Sequence, residues 1–462
     1  MPSSSTERSH TGDEPTARRR PPNVLFVFSD EHRACSMPGE PYCDVHAKHL
    51  RRLAAEGMSF RNCISNYPVC SPYRAMLMSG KWPFENGVID NSIGLRDEGS
   101  SLGEAFHSAG YRTGYIGKWH LSLRAEVMAG QMGRHGFDDF QPWFRTGTHL
   151  SEVTLDAATG KLVPREGYSC TLMTDAALDF IGTRDDRPWM LVLSWVPPHP
   201  PFDEAPEGKL QLYDEGALQF RPNVPPLGQT EFAGYLRGYY AHVSALDAEL
   251  GRLLDMLDRT QQAADTIVVY TSDHGTMLGS HASGGKRLPF DESCRVPFLL
   301  RYPGVVPAGR TSDALLASID LFPTLCGFAG IAVPPHCQGQ DLSGAVRGKA
   351  TGEPESVFLM HIQRTNAFEG GGGQLAPLFR GVRTQRFTYA VAGDGRWCLY
   401  DDWDDPYQLR NLIDDPSWIS LVADLDGLVV DWLGKASDPF PLDTLRRKRS
   451  SLQTLSVSNK LA

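Results

Sequence analysis

The chain reads as an α/β protein with a large central mixed, mostly parallel sheet flanked by helices. Three observations predict this. Four apolar runs of strand length, Asn23–Phe28, Tyr111–Ile116, Trp189–Val196 and Thr266–Thr271, are separated by helical patterns, and such continuous runs are typical of buried parallel strands. Each run passes at once into charged or imidazole side chains. The 462 residues exceed a usual single core, so one large domain and one small one are expected.

The first run ends in Ser29-Asp30-Glu31-His32-Arg33, the second in Gly117-Lys118-Trp119-His120. The third ends in Pro197-Pro198-His199-Pro200-Pro201-Phe202 and the fourth in Ser272-Asp273-His274-Gly275. Ligands of open α/β sheets bind beyond the carboxyl ends of the strands, so these four ends are expected to build one site. Val243, Leu246, Leu250, Leu253, Leu254 and Leu257 recur at helical spacing and predict a core helix over Tyr239–Leu257, just before the fourth strand.

Between the first two runs lies Cys70-Ser71-Pro72-Tyr73-Arg74, closing on Ser79-Gly80. Pro72 suits the first turn of a helix, where its missing N–H is not needed. Cys70 then stands at the helix N-terminus, near free N–H groups and the positive end of the dipole, with Arg74 one turn on. The local chemistry is a nucleophile beside an anion site; a buried thiol at an ordinary helix start is the plainer alternative.

By chemistry, the candidates form two groups. Asp30, Glu31, Asp273 and His274 make an oxygen-rich cation site with one imidazole. Lys118, His120, His199, Arg74 and Lys286 make a cationic set. A metal plus a ring of cations suits an oxyanion substrate.

Cys70-x-Pro72-x-Arg74 with its Gly80 ending resembles the signature of the formylglycine-dependent (type I) sulfatases of the alkaline phosphatase superfamily. Tyr73 is a less usual occupant of a variable position. Asp30 resembles the first metal segment, where the family usually has an Asp-Asp pair; Glu31 departs from it. Ser272-Asp273-His274-Gly275 with Gly279 resembles the second metal segment. Gly117–Leu121 and Pro198–Phe202 resemble two further active-site segments. Lys286 with Phe290–Phe298 resembles the segment that supplies another substrate lysine, and Arg295 there is read as a structural ion-pair residue. Arg380–Thr384, Leu399-Tyr400-Asp401 and Asp405–Leu412 resemble the small C-terminal domain of the family.

The resemblance implies the following. Cys70 is oxidised by a formylglycine-generating enzyme to an aldehyde, whose hydrate attacks sulfur of a sulfate ester and then collapses to release sulfate. Asp30, Glu31, Asp273, His274 and matured Cys70 hold one divalent cation, calcium as in many relatives, with manganese or another ion as the alternative. Lys118 and Arg74 hold the hydrate and His120 assists its collapse. His199 and Lys286 bind the sulfate, and one of them protonates the leaving oxygen. The substrate would be a sulfated small molecule or saccharide. A phosphodiesterase or phosphonate monoester hydrolase on the same site is the nearest rival; a non-catalytic anion-binding protein that keeps the Cys70 thiol is the rival from another class.

The expected organisation is a disordered tail over 1–22, a catalytic domain over 23–345, a smaller C-terminal α+β domain with a short antiparallel sheet over 346–440, and a tail over 441–462. A net charge of −10 argues against nucleic acid as partner. No apolar stretch has the length of a membrane span, and without a hydrophobic signal region a cytoplasmic location is expected. Nine scattered cysteines then read as free thiols, with Cys35–Cys43 or Cys326–Cys337 bridges as the alternative. Gly87–Asn91, Trp143, Phe144 and the glycine run 370–373 are candidates for the substrate pocket, or else ordinary loops.

Overall fold

The computed structural model describes residues 20–122, 133–155, 159–348, 354–363 and 377–447. The glycine run and most of both expected tails lie outside them.

Among the described residues, fifteen strands form two sheets. The larger contains β1 (Asn23–Ser29), β2 (Met58–Ile64), β3 (Arg112–Lys118), β4 (Asp139–Phe144), β5 (Ser151–Leu155), β6 (Leu162–Glu166), β7 (Trp189–Ser194), β8 (Thr266–Ser272), β9 (Arg295–Val296), β10 (Phe298–Arg301) and β11 (Arg310–Ala317). Its order is β11-β2-β10-β8-β1-β7-β3-β4-β5-β6, with β9 paired to β2. The central run β8-β1-β7-β3-β4 is parallel throughout. Both flanks add antiparallel pairs, β8-β10-β2 on one side and β4-β5-β6 on the other.

Burial on both faces explains the unbroken apolar runs. Along β1, Val24, Phe26 and Phe28 enter one core while Leu25 and Val27 enter the other, all with no exposed surface. Full burial of one such side chain contributes about 1.5–3 kcal/mol. The helix before β8 runs over Pro226–Arg259, more than three turns longer at its start than the leucine periodicity predicts. Pro226 supplies the N1 residue, and the added turns carry only Phe232 and Leu236 into the core before residue 238. A mostly solvent-facing stretch has too few apolar positions to reveal its period.

The second sheet joins β12 (Val357–His361), β13 (Phe379–Arg383), β14 (Phe387–Ala392) and β15 (Gly395–Asp401), all antiparallel. Helix Ile419–Lys435 buries Val422, Leu425, Val429 and Leu433 against it. Leu442–Arg446 follows as a 3-10 turn with Leu445 buried in the same core. That core reaches Met76 and Trp82, so the small sheet also braces the Cys70 helix, and Trp82 packs edge-on against Phe358 and Trp432. All nine cysteines are free, so neither alternative bridge forms. Among the described residues no helix is long and apolar enough to cross a membrane.

Candidate active site

Strand register assembles the site. Ser29 of β1 pairs with Ser272 of β8, which sets Asp30 beside Asp273. Ser194 of β7 pairs with Phe28 on one side and Gly117 on the other. Gly117 has φ 114°, and a Cβ there would lie 2.0 Å from the Ser194 carbonyl oxygen. Only glycine permits that approach, and the next residue is Lys118.

The helix Cys70–Ser79 begins with Cys70 itself. Its N-cap, Val69, offers no side-chain acceptor. The Ser71 N–H instead donates to Asn91 Oδ1 at 3.0 Å, so the Gly87–Asn91 loop caps the nucleophile's helix from outside. Gly80 ends the helix in the left-handed region and donates to Met76 O at 2.8 Å.

Around Cys70 Sγ stand His274 Nε2 at 3.3 Å, Lys286 Nζ at 3.3 Å and Asp30 Oδ1 at 3.7 Å. Lys118 Nζ donates to Asp30 Oδ2. Arg74 lies beneath the carboxylates: Nη2 reaches Asp273 Oδ2 at 3.0 Å and Asp30 Oδ2 at 3.2 Å, and Nη1 donates to Ser194 Oγ and the Lys118 carbonyl, each at 2.6 Å. Its guanidinium therefore ties the acidic pair to the sheet edge. Lys286 Nζ also donates to Glu31 Oε1 at 2.8 Å, and His199 Nε2 is 3.5 Å from the same oxygen. His120 is half-buried; its main-chain carbonyl accepts from Ser71 Oγ at 2.6 Å.

Asp30, Glu31, Asp273, Arg74, Lys118 and Lys286 are all buried. Three carboxylates thus face three cations in a desolvated space, which is costly for stability and marks a functional site. Burial opposes ionisation of Asp30, but Lys118, His199, Lys286 and Arg74 outweigh it and hold the carboxyl well below its ordinary range. Burial raises Glu31, with Lys286 opposing, and burial together with Asp30 raises Asp273. Burial and Asp30 push the Cys70 thiol up, yet Lys118, Lys286 and His274 bring it down to about 6. Burial disfavours charge on His274, but Asp273 lifts it to about 9. Burial, then Arg145, holds His199 well below the usual imidazole value.

The donors suit a divalent cation. Asp30, Asp273, His274 and Cys70 each offer a ligand atom within 4.8 Å of the others. His274 Nδ1 donates to the Gly275 carbonyl at 2.9 Å, which turns Nε2 toward the carboxylates. Glu31 groups with Asp30 and His199 instead.

Arg145 and Ser194 also belong to this site and were not legible as such. Arg145 follows β4 just as Lys118 ends β3, and its Nη1 lies 2.9 and 3.1 Å from the two ring nitrogens of His199. Pro142 within that run argues against a strand, which hid the strand-end position. Trp143 is buried in the core and borders a cavity with Thr154, Leu172 and Phe180, and Arg295 pairs with Asp291 at 2.7 Å.

A family model described as Sulfatase matches residues 22–331, and one described as N-sulphoglucosamine sulphohydrolase, C-terminal, matches 279–432. An ulvan-active sulfatase of Formosa agariphila is 33% identical over 436 residues, covering 93% of this chain and 83% of the relative. An endo-4-O-sulfatase of Bacteroides thetaiotaomicron is 28% identical over 455 residues, covering 85% and 88%. A crystal structure of a candidate sulfatase, yidJ, from Bacteroides fragilis superposes with a TM-score of 0.81 at 28% identity, covering 94% of this chain and 100% of that one.

Proposed function

Because the chain belongs to the sulfatase family and is a sulfuric ester hydrolase, we propose that it desulfates a saccharide sulfate ester, with Cys70 matured to formylglycine as the nucleophilic residue. One observation carries the assignment of Cys70: its Sγ is the point on which Asp30, His274 and Lys286 converge at the start of a buried helix. Sγ stands in for the oxygens that a formylglycine hydrate would place there. That hydrate would supply one hydroxyl to attack sulfur as the S–O ester bond breaks to the alcohol, and a second whose loss of a proton would expel sulfate and restore the aldehyde. The saccharide reading is supported by relatives whose names specify ulvan and an endo-acting 4-O-sulfatase.

A divalent cation held by Asp30, Asp273, His274 and the residue at position 70 would supply Lewis acidity to the nucleophile and the ester. The carboxylates favour a hard ion such as calcium, and His274 keeps manganese open. Arg74 fixes both carboxylates. Lys118 and Lys286 flank position 70 and offset charge that develops on the sulfuryl oxygens. His199 or Lys286 is assigned the proton for the leaving alcohol, and His199, held neutral in the free site, would carry one only once the substrate's negative charge raises its imidazole. His120 is assigned to regeneration of the aldehyde. Glu31 balances Lys286 and His199 until the substrate anion arrives.

The protein produced beside a formylglycine-generating enzyme should release sulfate from sulfated saccharides with a higher kcat/KM than it releases phosphate from matched phosphate esters. Peptide mass spectrometry of the same preparation should find aldehyde in place of the Cys70 thiol. Full activity with an intact thiol would refute the nucleophile assignment, and a preference for the phosphate esters would refute the substrate assignment.

A further inference from the structure

The loop that carries His199 is unusually short of hydrogen-bond donors. Pro197, Pro198, Pro200 and Pro201 have no N–H, and the His199 N–H turns back to the Val196 carbonyl at 3.2 Å. Apart from His199 Nδ1, which lies 2.8 Å from the Pro200 carbonyl, donors to the buried carbonyls of such a loop must come from outside it.

Three side chains from two parts of the fold, the β4–β5 connection and the long helix, do this for three consecutive carbonyls. His149 Nε2, from the β4–β5 connection, is 2.7 Å from His199 O. Arg145 Nη2, just past β4, donates to Pro200 O at 2.8 Å while its Nη1 lies against the His199 ring. His242 Nε2, on the helix Pro226–Arg259, is 3.0 Å from Pro201 O. A carbonyl only accepts, so both imidazoles present N–H there. Tyr168 Oη, 2.8 Å from His242 Nδ1, fills the other side of that ring as donor. The His149 and His242 rings meet edge to face at 4.8 Å between centroids, and both are fully buried. Burial brings His149 down to about 4 and His242 to about 3, so both stay neutral donors across the working range.

We propose that His149, Arg145 and His242 form a clamp that positions His199 against the substrate. The inference rests on the reading that His199 acts at the ester oxygen. The three are positioning residues: they touch the loop, and Arg145 the ring, but none is assigned to bond making. The arrangement matters because proton transfer and close charge contacts depend on placement, and a displacement of about 1 Å can cost about 10²-fold in rate.

The test compares His149→Leu, which keeps bulk but removes the donor, with His149→Gln, whose amide N–H can take the place of Nε2–H, in matured full-length protein. Substrates are a saccharide sulfate with a poor leaving group and 4-nitrophenyl sulfate with a good one. His149→Leu should lower kcat on the saccharide sulfate about 10- to 100-fold, with KM changed by less than about threefold and a smaller loss on the nitrophenyl ester. His149→Gln should recover most of the rate. In a His199→Ala background His149→Leu should cost nothing further, because its effect runs through His199. Equal losses on both esters, full additivity with His199→Ala, or a glutamine variant as slow as the leucine one would overturn the clamp.

If His199→Ala leaves both substrates unaffected, the reading of His199 fails by itself. The clamp is then judged by a crystal structure of His149→Leu, where loop 197–201 should shift; an unmoved loop rejects it. Should His149→Leu not fold, His242→Leu against His242→Gln and Arg145→Met against Arg145→Lys carry the same comparison from the other two anchor points.

Discussion

The ammonium of Lys286 sits 2.8 Å from Glu31 Oε1. Glu31 follows Asp30 directly, yet its carboxylate faces Lys286 and His199 rather than closing on the donor set of Asp30, Asp273, His274 and Cys70. Two features turn it: a left-handed backbone, φ 71°, held by Tyr239 Oη donating to the Glu31 carbonyl at 2.8 Å, and one methylene more than an aspartate.

Glu31→Gln should therefore keep the metal and change anion binding. With the carboxylate gone, Lys286 and His199 lose a competing negative charge. Inhibition by inorganic sulfate should tighten about fivefold, equivalent to roughly 1 kcal/mol. Elemental analysis with a sulfate inhibition series checks this; loss of the metal would make Glu31 a ligand.

Asp30→Ala and Asp273→Ala should each lose stoichiometric metal. Both carboxylates meet at Arg74 Nη2, so either change also leaves that buried guanidinium with one anion. Breaking a buried pair typically costs about 3–5 kcal/mol, so a lowered melting temperature should accompany the metal loss. Retention of metal in both variants would place the ion elsewhere.

His199→Ala should hurt substrates with poor leaving groups most. An alkoxide needs a proton in the transition state and a nitrophenolate needs much less. The loss should approach the two to four orders of magnitude typical of general acid catalysis on a saccharide sulfate and be visibly smaller on 4-nitrophenyl sulfate. An equal loss on both would assign His199 to sulfate binding and leave Lys286 as the acid.

Glu152→Gln should flatten the pH dependence of stability. Glu152 is buried on β5, neither carboxyl oxygen has a hydrogen-bond partner, and burial lifts it from 4.5 to about 8 against the pull of Arg145 and Lys118. The folded state then binds more protons than the unfolded one between those two values, so stability falls as pH rises through that window and levels off above it. The wild type should lose melting temperature from pH 5 to pH 8, and the glutamine variant distinctly less.

The sequence by itself determined which residues stand at strand ends. Apolar runs are local, and a run that stops in Asp30-Glu31, Lys118, Pro197-Pro198-His199 or Asp273-His274 declares its edge without any knowledge of its neighbours. The start of the Cys70 helix was legible for the same reason, since Pro72 acts within a turn of itself. The sequence did not reveal the flanking strands β4 to β6 and β9 to β11, whose runs are short, interrupted by Pro142 or Pro297, or partly exposed. Tertiary structure alone decided that Asp30 and Asp273 adjoin, through the pairing of Ser29 with Ser272 across 243 residues of chain. It also decided that Arg74 lies beneath both carboxylates, that Glu31 turns toward Lys286, and that His149, Arg145 and His242 converge on one proline-rich loop. Each of these is a contact between segments far apart in sequence, set by which strands pair and in what register, and no local pattern of residues encodes that choice.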